Sequence, residues 1–153
     1  MIIVKQWQSQ NTVYFFTHTS IMSNTTTQKR GPITCHVLDS SRGIPGKNIE
    51  VLLECQQNSV DKDWITINKT KTNEDGRCSD LVSPDYKIPL TNSEDDSKVI
   101  YRLTFFTTPY FKSFGQESFY PFVQIVFQIK DPTQHYHVPL LIAPFSYTTY
   151  RGS

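Results

Sequence analysis

Two histidines two positions apart, His135 and His137, lie in the run His135-Tyr136-His137-Val138-Pro139-Leu140-Leu141, and the chain closes on Tyr150-Arg151-Gly152-Ser153. Successive side chains of an extended strand point to opposite faces, so both rings project from one side while Tyr136 and Val138 take the other. An imidazole titrates near neutral pH, which suits general acid–base work. Zinc is the competing use of such a pair, but a zinc site needs a third and a fourth ligand. No cysteine is close in sequence, and neither Asp131 nor the C-terminal carboxylate has the spacing of a known site. Acid–base chemistry is therefore the expectation, with no metal and no cofactor. The closing tetrapeptide combines an aromatic ring, a cation, a flexible residue and a hydroxyl, a mixture suited to lining a site although chain ends usually fray.

Three further residues carry potential chemistry. His36 lies in Ile33-Thr34-Cys35-His36-Val37-Leu38-Asp39, where Ile33, Cys35 and Val37 alternate with Thr34, His36 and Leu38. If the first set faces a core, His36 points away from it, either into solvent or into a groove or subunit interface. Arg77 follows Asp75-Gly76 in a turn, where most arginines are simply solvated. Ser153 has no G-x-S-x-G context and no Asp–His partner in recognisable order, so a serine-nucleophile hydrolase is not the expectation. The G-x-G-x-x-G, P-loop and H-E-x-x-H patterns are absent, which removes support for nucleotide cofactors and zincin chemistry. The fourth histidine, His18, sits in a Ser/Thr/Asn/Gln-rich stretch and reads as solvated.

The elements that must position these residues are short and strand-like. Alternation marks strands over 33–39, 48–56 and 64–71, and apolar or aromatic runs mark others over 101–106, 122–129, 137–142 and 147–150. Turn-rich segments separate them: Ser40 to Gly46, Asn73-Glu74-Asp75-Gly76-Arg77, Ser83-Pro84-Asp85 and the polar, acidic stretch around 91–97. One short helix fits 109–118, because Tyr110, Phe111 and Phe114 sit at helical spacing. Seven or so strands with a single helix predict an all-β class, an antiparallel β-sandwich.

Composition agrees. The 153 residues include 10 Phe, 8 Tyr and 2 Trp, a bias toward strands. Lys and Arg number 15 against 14 Asp and Glu, with no basic stripe, so nucleic acid is not an expected partner. The three cysteines form no C-x-x-C and are odd in number, which reads as reduced thiols. The apolar start is too short for a signal peptide or a membrane span, and no targeting address is legible. Residues 1–30 read as a variable, disordered extension, with one domain over 31–153.

Taken together, Thr34-Cys35-His36-Val37-Leu38-Asp39, Arg42-Gly43-x-Pro45, Thr72-Asn73-x-Asp75-Gly76-Arg77, His135 to Leu141 and the terminal Tyr150-Arg151-Gly152-Ser153 resemble the 5-hydroxyisourate hydrolases, the transthyretin-related enzymes of urate breakdown. The resemblance covers about residues 33–153, and the acidic stretch near 93–97 looks like an insertion relative to compact members. It implies a transthyretin-like sandwich of two four-stranded sheets, assembled as a homotetramer (a dimer of dimers) with active sites opening into a channel. Carried over by motif, His36, Arg77, His137 and Ser153 are the implied catalytic set, with Tyr150, Arg151 and His135 shaping or supporting the pocket. The implied reaction is hydrolytic opening of 5-hydroxyisourate to 2-oxo-4-hydroxy-4-carboxy-5-ureidoimidazoline, in cytoplasm or peroxisome. The alternative is a transthyretin-like carrier of a small ligand, but such carriers lack the two histidines and the Tyr-Arg-Gly-Ser end.

Overall fold

The computed structural model describes residues 30–56, 63–89 and 99–152. The segment 1–29, the acidic stretch 93–97 and Ser153 lie outside the described residues. In chain order the elements are β1 (Ile33–Asp39), β2 (Ile44–Pro45), β3 (Glu50–Gln56), β4 (Ile65–Lys71), β5 (Arg77–Cys78), β6 (Ile100–Phe106), α1 (Thr107–Lys112), β7 (Val123–Gln128), β8 (Tyr136–Ala143) and β9 (Ser146–Thr149). They form two sheets, one ordered β2-β1-β8-β9 with β5 also on β1, the other β4-β3-β6-β7. The expected all-β sandwich with one short helix is what forms.

Alternation explains why the sheets stack. Cys35 and Val37 of β1, Leu53 and Cys55 of β3, Tyr101, Leu103 and Phe105 of β6, and Leu140 and Ile142 of β8 are all at most 2% exposed. Burying each large apolar side chain contributes about 1.5–3 kcal/mol, which is what holds two half-polar sheets face to face. The intervening residues of β1, above all Thr34 and His36, are left on the outer face.

Three details differ from the sequence expectation. First, β1 and β8 run parallel, with Thr34 opposite His137 and His36 opposite Pro139. Local periodicity carries no information on strand direction, so this pairing was not derivable. Second, the site-bearing sheet gains a fifth strand, the two-residue β5, which sets Cys35 opposite Cys78 and His36 opposite Arg77. Third, α1 begins at Thr107, so Pro109 falls inside the first turn rather than at its start. Its missing N–H is lost from a position that has no intrahelical partner anyway. The helix ends near Lys112 because Gly115 takes φ +68 and the Gln116 N–H turns back to donate to the Phe111 carbonyl at 3.1 Å.

Asp39, the last residue of β1, is fully buried and ties the first turn to the helix. Its Oδ1 accepts from the Ser41 hydroxyl at 2.6 Å and from the Ser41 and Arg42 N–H groups. Its Oδ2 accepts from the Tyr110 hydroxyl at 3.1 Å and lies 3.6 Å from the Arg42 guanidinium, which in turn stacks on Phe114. The Asp39 and Arg42 positions of the two N-terminal motifs are thus anchors for the fold, far in role from the outward-facing His36.

Candidate active site

Four elements bring the chemistry together on the outer face of one sheet. β1 supplies Thr34 and His36, β8 supplies His137, β5 supplies Arg77, and the chain end returns alongside β8. The register places Arg77 beside His36 and Thr34 beside His137.

The turn before β5 shows why the sequence puts Arg77 there. Gly76 has φ +72, and a Cβ on it would meet the Val37 carbonyl oxygen at 2.3 Å, so only glycine lets the turn press against β1. The Val37 N–H donates to the Gly76 carbonyl at 2.8 Å, fastening the turn to the strand. Within the turn, the Asn73 side-chain oxygen accepts from the Asp75 and Arg77 N–H groups at 3.0 and 2.8 Å. Thr72 closes its base, accepting from the Ile49 N–H and donating to the Gly46 carbonyl. On the core side the buried Cys35 and Cys78 thiols are hydrogen-bonded to each other, and that contact with burial raises the Cys35 thiol well above its usual range. Both cysteines are free and act as core residues that lock β5 onto β1.

The end of the chain is held by the same logic. Gly152 bridges to His137, its N–H donating to the His137 carbonyl at 3.0 Å. A Cβ on Gly152 would come within 2.7 Å of His137 Cδ2, so the glycine of the terminal tetrapeptide is required by close approach to that ring. Arg151 donates to Gln134 at 2.7 Å and lies over the Tyr136 ring, tethering the segment rather than joining the histidine cluster. Tyr150 is 59% exposed and opens to the surface. Of the seven site residues expected from sequence, the structure gathers His36, Arg77, His137 and His135, directs Arg151 toward Gln134 and Tyr136, and leaves Tyr150 at the rim; Ser153 is not among the described residues.

Two residues that sequence reasoning passed over take part. Thr34, only 5% exposed, places its hydroxyl 2.8 Å from His137 Nδ1 and 3.0 Å from His135 Nε2. Its place on the same strand face as His36 was visible in the alternation, but nothing marks one strand threonine from another. Arg30, assigned by sequence to the variable extension, contributes its charge to both His135 and His137.

Electrostatics at the site share one direction. Desolvation lowers the pKa of His137, and the charges of Arg77, His135, His36 and Arg30 lower it further. Desolvation and Arg77 likewise lower His36, partly opposed by the backbone and charge of Asp75. His135 is lowered by desolvation and Arg30. Each ring is thereby kept neutral, and able to take a proton, at neutral pH. The His135 and His137 rings lie nearly parallel, 6.3 Å between centroids. Among the described residues no group of three or more His, Cys, Asp and Glu side chains could hold a metal ion. A cleft of about 450 Å³ is lined by Gln134, His135, Arg151 and Gly152. His36 and Arg77 lie outside it, on the open face of the sheet.

This combination of sandwich and site places the chain in a family: it belongs to the HIUase/Transthyretin family, whose profile matches residues 33–152. A probable 5-hydroxyisourate hydrolase of Caenorhabditis elegans is 48% identical over 122 residues, covering 79% of this chain and 81% of that one. Among solved structures, the 5-hydroxyisourate hydrolase of Klebsiella pneumoniae superposes with a TM-score of 0.59 at 30% identity, covering 79% of this chain and 97% of that one. Sea bream transthyretin in complex with thyroxine gives a TM-score of 0.65 at 25% identity, over 79% of this chain and 94% of that one. Backbone likeness therefore does not separate hydrolase from carrier; the side chains on the outer face must do so. No helix among the described residues is long and apolar enough to cross a membrane.

Proposed function

We propose that the protein hydrolyses 5-hydroxyisourate to 2-oxo-4-hydroxy-4-carboxy-5-ureidoimidazoline in urate degradation. The observation that carries the reading is the convergence of Arg77 and two neutral-leaning imidazoles on one face, beside a chain end fitted to His137. In the proposed mechanism His137 and His36 position and deprotonate water, with Ser153 helping to orient it. The water oxygen attacks a ring carbonyl, the ring C–N bond breaks, and the departing nitrogen takes the proton back. Arg77 binds ring oxygens and offsets the negative charge that develops. Its planar fork suits a flat heterocycle better than a lysine would. A positioned base is worth about 10²–10⁴-fold in rate, and a donor aimed at the oxyanion about 3–4 kcal/mol.

A homotetrameric dimer of dimers belongs to the same proposal. Two observations support it. His36 and Arg77 face the open side of the sheet, so a second surface is needed to close a site around the substrate. β9 is an edge strand with all four residues exposed, Tyr147 among them, and Phe145 and Val126 near the two sheet edges are exposed as well. Such an edge is a ready template for another strand. A soluble compartment, cytoplasm or peroxisome, accompanies this reading.

The carrier alternative rests on the likeness to the thyroxine-bound protein. It predicts an apolar channel wall, whereas this face carries an arginine and several imidazoles. The test is spectroscopic: freshly generated 5-hydroxyisourate should lose its near-ultraviolet absorbance much faster with the purified protein. Unchanged spontaneous decay in the presence of folded, assembled protein would refute the hydrolase.

A further inference from the structure

The Thr34 hydroxyl stands between two imidazoles and cannot treat them alike. A hydroxyl has one proton to donate and two lone pairs. With His137 Nδ1 at 2.8 Å and His135 Nε2 at 3.0 Å, it donates to one ring and accepts from the other, or accepts from both. The last arrangement strands the hydroxyl proton of a side chain that is 5% exposed, and no other acceptor for it is present among the described residues. Two arrangements remain. If Thr34 donates to His137, the proton of that ring sits on Nε2 and the ring cannot serve as a base from that atom. If Thr34 donates to His135, His137 carries its proton on Nδ1 and Nε2 is bare. Nε2 of His137 makes no hydrogen bond among the described residues, so it is the nitrogen left for substrate or water.

Resting on the hydrolase reading above, we propose that Thr34 is a positioning residue that fixes the tautomers of both histidines, accepting from His137 Nδ1–H and donating to His135 Nε2, so that His137 presents a bare Nε2. His135 is then a functional part of the site, the acceptor that ends the chain, with its own Nδ1–H at the exposed rim and free to meet water. As His137 takes a proton from water on Nε2, its Nδ1–H becomes a stronger donor to Thr34, which stabilises the imidazolium without a carboxylate. The charged and titratable groups facing the pair are Arg77 from β5, His36 from β1 and Arg30 before it. All oppose protonation, so a tautomer-fixing partner has a large role here. A threonine serves better than an aspartate because a buried carboxylate would trap the proton on the ring.

The first experiment needs no substrate. The full chain has four histidines, so long-range proton–nitrogen correlation spectra of histidine-labelled protein, at a pH where the rings are neutral, can be assigned by single substitutions. The expected result is a protonated Nδ1 and bare Nε2 on His137, and a bare Nε2 on His135. A protonated Nε2 on His137 in the unsubstituted protein overturns the proposal whatever the variants do. Thr34→Val, near in shape and favourable in a strand, should abolish the preference and lower kcat by about 10–10³-fold with little change in KM, whereas Thr34→Ser should restore both. An unchanged tautomer or an unchanged kcat in Thr34→Val also overturns it. If the unsubstituted protein leaves 5-hydroxyisourate decay unaltered, the hydrolase reading fails separately, and the tautomers remain measured.

Discussion

On the outer face of the β4-β3-β6-β7 sheet, charged side chains meet partners of opposite sign. Glu54 accepts from Arg102 Nε and Nη2 at 2.8 and 2.7 Å, with the guanidinium over the Trp64 ring, and Lys69 lies 2.9 Å from Glu50. On the outer face of the other sheet, the charges of Arg77 and Arg30 act on His36, His137 and His135 and disfavour protonation of the rings, and among the described residues Arg77 forms no ion pair. The first face is what folding alone selects. The second leaves the Arg77 charge without an ion-pair partner beside uncharged rings, the kind of local conflict expected where function rather than stability sets the residues.

The contrast can be broken most sharply at His137. His137→Ala should lower kcat by about 10²–10⁴-fold while leaving melting temperature and assembly close to unchanged, because the ring lies on the outer face of the sheet and is not part of the hydrophobic core. Steady-state kinetics beside a thermal melt would check this; an active variant would assign the base elsewhere. Next comes Arg77→Gln, expected to cost about 10²–10³-fold in kcat/KM without loss of stability, since relieving crowded positive charge offsets any lost contact. The same two measurements decide it. Gly152→Ala should have a smaller effect, about tenfold on activity, because its new Cβ must push the His137 ring aside. On the opposite face the signs exchange: Glu54→Gln should destabilise the fold by about 1.5–3 kcal/mol in urea titration and leave turnover per folded molecule intact.

Acidity sharpens the comparison further. The three site histidines have pKa values lowered from the ordinary 6.5. The rate should therefore hold as pH falls to about 6.5 and decline only below it, through the lowered pKa of the base. Between the unfolded and folded values the unfolded chain binds more protons, so stability too is lost as pH drops from 6.5 downward. His137→Ala should shrink that acid-side loss of stability, which denaturant melts across pH would read. Lys69→Ala, at the paired but solvent-washed end of the other face, should change stability by less than about 0.5 kcal/mol.

Much of this was legible in residue order, and what was not has physical causes. The two-residue alternation of β1 separated Cys35 and Val37 from Thr34 and His36, and the glycine in Asp75-Gly76-Arg77 marked a turn whose tightness the structure explains. The spacing of His135 and His137 put both rings on one side of β8. The partners of these groups were hidden because they depend on pairings between distant segments. β5 is too short to show a period, and its position beside His36 follows from a glycine fitted under Val37. Thr34 looks like any strand threonine until β8 is laid parallel to it. Arg30 precedes the first regular element, so a boundary drawn from composition excluded it, although its charge acts on the site.

The parallel pairing of β1 with β8 has a consequence for how the molecule is made. Thr34 and His137 are separated by 103 positions, so on the ribosome β1 emerges long before the strand that covers its flank. Until then β1 has an uncovered edge, an invitation to mispairing in a crowded cell. Non-local closure of this kind is slow, and the face that joins Thr34 to His137 forms only once β8 has been made and has paired with β1. A chain stopped before β8 would lack Val138, Leu140 and Ile142 from its interior as well as His137 from that face.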